Sequence, residues 1–82
     1  MHIVYILKSI KKPGKIYIGI THDLDKRIKE HNNGLSQYTK KFIPWELETC
    51  VSFKNKLLAE RFEKYLKVGS GQAFLKRHLL AK

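Results

Sequence analysis

A single cysteine, Cys50, stands among the 82 residues. The chain can therefore form no internal disulfide and no cluster of thiolates around zinc. Apolar packing alone must hold it together. Area scaling has a chain of this length bury ~63% of its unfolded surface. That allows one modest core and excludes a second domain or a large internal cavity. The expected organisation is one domain over residues 1–82, with any active site in a surface groove. A lone thiol suits a reducing compartment. The first residues, Met1 to Tyr5, lack the basic and long apolar regions of a secretion signal. A cytoplasmic location is the expectation.

Hydrophobic periodicity divides the chain. Residues 2–8 are β-branched or aromatic at both parities, which predicts a strand covered on both faces and central in its sheet. Lys-Lys-Pro-Gly at residues 11–14 signals a turn. Residues 16–21 predict a second strand, with Ile16, Ile18 and Ile20 on one face and Tyr17, Gly19 and Thr21 on the other. Together they make a hairpin. Thr21 or Asp23 can cap a helix that reaches Asn32 and ends at Asn33-Gly34, with Leu24 and Ile28 as its apolar pair. Residues 35–44 read as a polar loop with room for a short helical turn. Residues 45–53 alternate, Trp45, Leu47, Thr49, Val51 and Phe53 against Glu46, Glu48, Cys50 and Ser52, which predicts a third strand, polar on one side. Residues 55–68 predict the longest helix, with Leu58, Phe62, Tyr65 and Leu66 on one stripe. Gly69 can stop it, and Ser70 can cap a last helix over residues 71–80 with Phe74, Leu75, His78 and Leu79 on its apolar face. The order is ββαβαα. The implied fold is α/β (α+β): a small three-stranded antiparallel sheet flanked by helices.

Lys and Arg number 17 against 7 Asp and Glu, a net charge of +10. Such an excess bears on partners more than on fold. It favours a polyanion, and nucleic acid ahead of a membrane, because no apolar stretch approaches the ~20 residues that span a bilayer. The four histidines, His2, His22, His31 and His78, show no metal-ligand spacing, and a zinc site built from them is rejected.

Some polar residues sit awkwardly. On the first helix Arg27 and His31 fall within about 60° of Leu24, on the arc that must bury. Taken alone, Arg27 reads as a snorkelling side chain and His31 as a half-buried helix-end residue. On the long helix Glu63 lies about 100° from Phe62, at the border of the buried stripe, whereas Glu60 lies about 160° away and looks at water. Taken alone, Glu63 reads as an i,i+4 partner of Lys67. Gly19 leaves a gap beside Tyr17, the kind of place where a ligand or backbone comes close. The hairpin register that would set Tyr5 and Tyr17 on one side is not readable.

Together these residues resemble the GIY-YIG endonuclease domain over essentially the whole chain. Ile3-Val4-Tyr5 is similar to the first signature without its initial glycine, and Tyr17-Ile18-Gly19 to the second. The run from Leu24 to Asn32 looks like the family's helix, with its arginine at Arg27 and a histidine four residues on. The run from Ala59 to Lys67 is similar to the helix with the metal-binding glutamate, placed at Glu63. The chain looks most like the small stand-alone members. The resemblance implies phosphodiester hydrolysis with one divalent ion, Mg²⁺ or Mn²⁺, held by Glu63. It implies Tyr17 as the water-activating group, with Tyr5 as second candidate. It implies Arg27 on the phosphate and His31 orienting a tyrosine or the phosphate. Gly19 and Thr21 are structural at the site, and Tyr38, Lys40 and Lys41 form a substrate-contacting loop, since cations bind phosphates and tyrosines stack on unpaired bases. Some members use an asparagine beyond the glutamate; here Gln72 is the only amide in that region.

The leading reading is thus a metal-dependent endonuclease acting on DNA, with repair or recombination as the family's analogy and a branched or single-stranded substrate left open. The alternative is a nucleic-acid-binding module of the same fold that cuts weakly or not at all. A basic scaffold for a partner protein is the third.

Overall fold

The computed structural model describes residues 1–80. Strand β1 (His2–Ser9) pairs antiparallel with β2 (Ile16–Thr21) on one side and with β3 (Trp45–Phe53) on the other. The order β2-β1-β3 makes β1 central, as its two-faced apolar character requires. Helix α1 (Leu24–Asn32) follows β2, a 3-10 turn (Thr39–Phe42) precedes β3, and α2 (Lys56–Leu66) and α3 (Gly69–Phe74) close the chain, the last running into a π-type turn over Leu75–Leu79. The α+β architecture and the ββαβαα order are as the sequence predicts. Among the described residues no helix is long and apolar enough to cross a membrane.

The sheet carries a different layer on each face. One face presents Val4, Ile6 and Ile18 to Ala59, Leu66 and Leu75. The other presents Tyr5 and Leu7, with Trp45, to Tyr17, Leu24, Ile28, Phe42 and Ile43.

The third strand departs from simple alternation. Ile6 pairs with Thr49, but Leu7 pairs with Leu47, so Glu48 is an extra residue in a bulge. A one-residue slip turns every later side chain to the opposite face. Trp45 therefore packs with Tyr5 and Leu7, while Phe53, of the same parity in sequence, packs beside the other core. Leu47, expected inside, stays exposed on the edge strand.

The C-terminal helices also differ from expectation. Helix α2 is capped by Asn55, whose Oδ1 accepts from the Leu58 amide at 3.0 Å. Its buried stripe is Ala59 and Leu66 with Phe62 partly covered; Leu58 and Tyr65 are exposed. It ends at Leu66, three residues before Gly69, which instead opens α3. Val68, not Ser70, occupies the N-cap, and no side chain caps α3. Position 71 must be glycine because a Cβ there would fall on the Tyr65 carbonyl at the end of α2. His78 is exposed and lies against the Phe74 ring, because the π-type turn widens the spacing after Leu75.

Candidate active site

Helix α1 brings two side chains to the sheet. Thr21 Oγ1 accepts from the Asp23 amide at 3.1 Å, and Asp23 Oδ1 accepts from the Lys26 amide at 3.2 Å, so Asp23 is the cap and Thr21 shapes the entry. Arg27 and His31 follow, one turn apart on the same face. Across from them stand Tyr5 and Tyr17. Tyr5 pairs with Gly19, and Tyr17 with Leu7, which puts both tyrosines on one face. A Cβ at Gly19 would fall on the Tyr5 ring and hydroxyl. Glycine thus lets Tyr5 lie across β2 beside Tyr17, with ring centroids 6.2 Å apart.

Hydrogen bonds join these groups in a chain. Arg27 Nε donates to Tyr5 Oη at 3.3 Å, and Tyr5 Oη lies 2.9 Å from His31 Nε2. His31 Nδ1 lies 2.8 Å from Thr39 Oγ1, and the Thr39 carbonyl accepts from Trp45 Nε1 at 2.8 Å. Tyr5, His31 and Thr39 are essentially fully buried. Burial pushes the Tyr5 hydroxyl above the usual tyrosine value, although the Arg27 hydrogen bond and charge pull the other way. Burial, helped by the Arg27 charge, pushes His31 below the usual histidine value. A neutral His31 and a protonated Tyr5 follow near neutral pH. The assignment that satisfies both has Tyr5 donate to Nε2 and Nδ1–H donate to Thr39. Arg27 is held charged first by Tyr5 and then by Glu30, whose Oε1 accepts from its terminal nitrogen at 3.1 Å.

Glu63 approaches from α2, in the opposite layer. Its charge is among those that act on the Tyr5 hydroxyl. The side chain is only 17% exposed, and Oε2 accepts from Lys67 Nζ at 2.9 Å. A cleft of about 280 Å³ runs along the edge strand β2, lined by Ile16, Tyr17, Ile18, Lys67 and Gln72. Glu60 helps line a smaller, open hollow of about 160 Å³ with His2, His22 and Lys56.

Among the described residues no three His, Cys, Asp or Glu side chains converge on a metal position. What the site offers is one carboxylate, largely withdrawn from solvent, whose one bonded partner is an exposed ammonium. That donor set fits a hard ion that keeps most of its waters, as Mg²⁺ does. It does not fit a protein cage such as zinc requires.

Tyr5, Tyr17, Arg27 and His31 therefore come together beside Gly19, whereas Glu63 stands on α2 as the i,i+4 partner of Lys67, whose side chain lines the cleft with Tyr17. Tyr38 lies 6.4 Å from the Tyr17 ring, and Lys40 and Lys41 are exposed on the 3-10 turn. Gln72 lines the cleft but donates its amide to the Leu66 carbonyl. Residue patterns gave no sign of Thr39, which lies in a polar loop, or of Asn32. Asn32 accepts from the Trp45 amide at 2.7 Å and donates to the Trp45 carbonyl at 3.0 Å, locking α1 to β3.

The ββαβαα fold, with two tyrosines of the sheet facing an arginine of α1, matches that of a GIY-YIG catalytic domain. The family model of that description matches residues 1–76, and the chain belongs to the family. Among its relatives is the UPF0213 protein CPE1444 of Clostridium perfringens, 44% identical over 68 residues, which cover 82% of this chain and 71% of that one. The structure-specific endonuclease subunit SLX1 of Debaryomyces hansenii is 42% identical over 67 residues, covering 73% of this chain and 19% of that one. The chain thus spans less than a fifth of that subunit. The solution structure of the UPF0213 protein BH0048 from Bacillus halodurans superposes with a TM-score of 0.57 at 32% identity, covering 95% of this chain and 85% of that one.

Proposed function

We propose that the chain is an endonuclease that hydrolyses phosphodiester bonds in DNA with one divalent ion, Mg²⁺ or Mn²⁺. The observation that carries this reading is the cluster of Arg27, Tyr5, His31 and Tyr17, joined by hydrogen bonds and ring contacts, with Tyr17 lining a surface cleft that it shares with Lys67, the partner of Glu63. A module that only binds nucleic acid needs no half-buried carboxylate there.

The residues divide the work by exposure. Tyr17 lines the open cleft, so its hydroxyl is the one able to hold and orient the attacking water. The Tyr5 hydroxyl is closed between Arg27 and His31, and its part is to aim the guanidinium. His31 and Thr39 keep that tyrosine in place. Arg27 presents a planar fork of donors to the non-bridging oxygens of the phosphate. Glu63 would hold the divalent ion, which supplies positive charge against the charge that develops on phosphate and leaving oxygen. Lys40 and Lys41 contact neighbouring phosphates. The SLX1 relatives are named structure-specific endonuclease subunits, and by analogy we extend the reading to branched DNA and to repair or recombination.

The test is cleavage of labelled duplex, single-stranded and branched DNA at low salt with Mg²⁺ or Mn²⁺, beside Glu63→Gln. Metal-dependent cutting that disappears in the variant is the expected result. Binding without cutting on every substrate and in either metal overturns it and leaves a binding module.

A further inference from the structure

Leu57, Leu58 and Tyr65 on α2, and Val68 just past its end, stay between 40% and 66% exposed. A single exposed leucine is ordinary on a surface, but a row of large apolar side chains along one helix marks a place of contact. The packing beneath the row is firm. The Tyr65 ring lies 6.3 Å from Phe62 and 6.1 Å from Phe74, centre to centre, and Phe53 lies 5.5 Å from Phe62. A partner would meet side chains already ordered, so little entropy is left to lose on binding.

Arg61 stands in the middle of this row. At 100° per residue it points about 40° from Leu57 on one side and about 40° from Tyr65 on the other, with Leu58 about 60° away. Its helix neighbours one turn away are Leu57, Leu58, Lys64 and Tyr65, and none of them is acidic. Among the described residues the ion pairs are Arg27–Glu30 and Lys67–Glu63, and Arg61 is in neither. The only acidic residues after Glu48 are Glu60 and Glu63, and both turn elsewhere. Glu60 lines the hollow beside His2 and His22, and Glu63 bonds Lys67. An exposed guanidinium thus sits among apolar side chains with no carboxylate from its own helix.

We propose that this face of α2 docks an acidic amphipathic helix of another protein. Its apolar side chains pack on Leu57, Leu58, Tyr65 and Val68, and one of its carboxylates pairs with Arg61. Tyrosine and arginine at the centre of a patch are the residue types that carry most of the binding energy in protein interfaces. Helix α2 has 11 residues, or ~16 Å of axis, which matches a partner helix of three turns. Two other occupants fit worse. A second copy would bring its own Arg61 and Lys64 against these, from a chain of net charge +10. A bilayer would take Arg61 into its acyl boundary with the leucines, whereas a helix that lies on a membrane keeps its cations on the opposite face.

The probe is a synthetic helix with leucines at i, i+3, i+4 and i+7 and glutamates at the remaining positions. It is titrated against the full chain and followed by side-chain NMR signals, so cleavage plays no part in the readout. The controls are the same helix with lysine for glutamate and the same helix with alanine for leucine. The Leu/Glu helix should shift Leu57, Leu58, Tyr65 and Val68, and each control should bind at least roughly 5-fold more weakly. Tyr65→Ala should weaken the Leu/Glu helix roughly 5- to 30-fold, as loss of an interface anchor does. Arg61→Glu should reverse the preference, so that the Leu/Lys helix binds more tightly. Lys11→Glu makes the same change in net charge on the hairpin and should leave the preference alone. Melting curves confirm that each variant folds. A preference for glutamate that survives Arg61→Glu, or shifts confined to other parts of the chain, overturns the docking face. Self-association of wild type that Leu57→Gln/Leu58→Gln abolishes would give the face to a second copy. Binding to phosphatidylglycerol vesicles that the same pair abolishes would give it to a membrane, and either result also overturns the proposal.

Discussion

The two faces of the sheet bury side chains for different ends. Against α2 and α3 the strands set Val4, Ile6 and Ile18 on Ala59, Leu66 and Leu75, all apolar. Against α1 and the 3-10 turn they bury Tyr5, His31 and Thr39, whose polar atoms must be paired. Among the described residues no buried side-chain N or O lacks a partner. The first face gains stability from area alone. The second spends some of that gain on fixing polar groups, and receives an aimed guanidinium in return. With one small core, the domain thus keeps its apolar packing and its buried polar network on opposite sides of a single three-stranded sheet.

Paired substitutions should separate the two. Leu66→Ala removes a fully buried side chain from the apolar face and should cost about 2–5 kcal/mol. In a domain of this size each kcal/mol lowers Tm by about 4–8 °C. Per folded molecule, its cleavage rate should match wild type. Tyr5→Phe should cost less, about 1–3 kcal/mol, because it leaves His31 Nε2 buried without a partner. Its cleavage should fall sharply even where the fold is intact, since Arg27 loses the hydroxyl that aims it. Thermal melts beside single-turnover cleavage measure both. Equal activity losses in the two variants would dissolve the distinction.

A smaller, pH-dependent effect sharpens the contrast. His31 is held neutral, with its folded value below the ordinary ~6.5 of an exposed histidine. The unfolded chain therefore binds the extra proton first as pH falls. The contribution of His31 is complete above pH ~6.5 and is lost progressively as pH drops towards the folded value. Wild type should lose Tm across that window, and His31→Gln should lose less. Leu66→Ala should keep the wild-type slope, because His31 and the groups bonded to it lie across the sheet from Leu66.

The apolar face was the more legible of the two in β1 and β2. Their runs of Ile and Val set the strand order and the side of each residue, and the structure keeps them. Beyond the sheet the reading weakened wherever backbone, not side-chain type, decided the outcome. The bulge at Glu48 moves Trp45 to the face of Tyr5 and Leu7, and no residue there announces it. On α2 two leucines of similar hydropathy part ways, Leu58 in water and Leu66 in the core. Around the tyrosines, the positions of Arg27 and His31 on the buried arc of α1 were legible from helical spacing, and so was the Glu63–Lys67 pair, but a shared role for these residues came only from the family resemblance. Thr39 was not legible, because one threonine in a polar loop differs in no way from its neighbours until the chain folds back on His31. The relative side of Tyr5 and Tyr17 hung on a hairpin register, and Gly19 opposite Tyr5 settles it.

The weakest interaction offers the finest test of where the two faces meet. Lys67 is half exposed, and its bond to Glu63 spans one turn of α2. Such a pair adds only about 0.3–0.5 kcal/mol, so Lys67→Met should scarcely move Tm. Its effect should appear at the carboxylate. An ammonium occupies a Glu63 oxygen that, on the proposed reading, a divalent ion would need. Removing Lys67 should therefore tighten Mn²⁺ binding, read from the loss of the free-ion signal in electron paramagnetic resonance. Glu63→Gln should abolish that binding. If Lys67→Met instead leaves Mn²⁺ affinity unchanged while Glu63→Gln abolishes it, the ion and the lysine use different oxygens of the same carboxylate. If neither variant changes it, the ion is not held from α2, and the two sides of the sheet do not share the site.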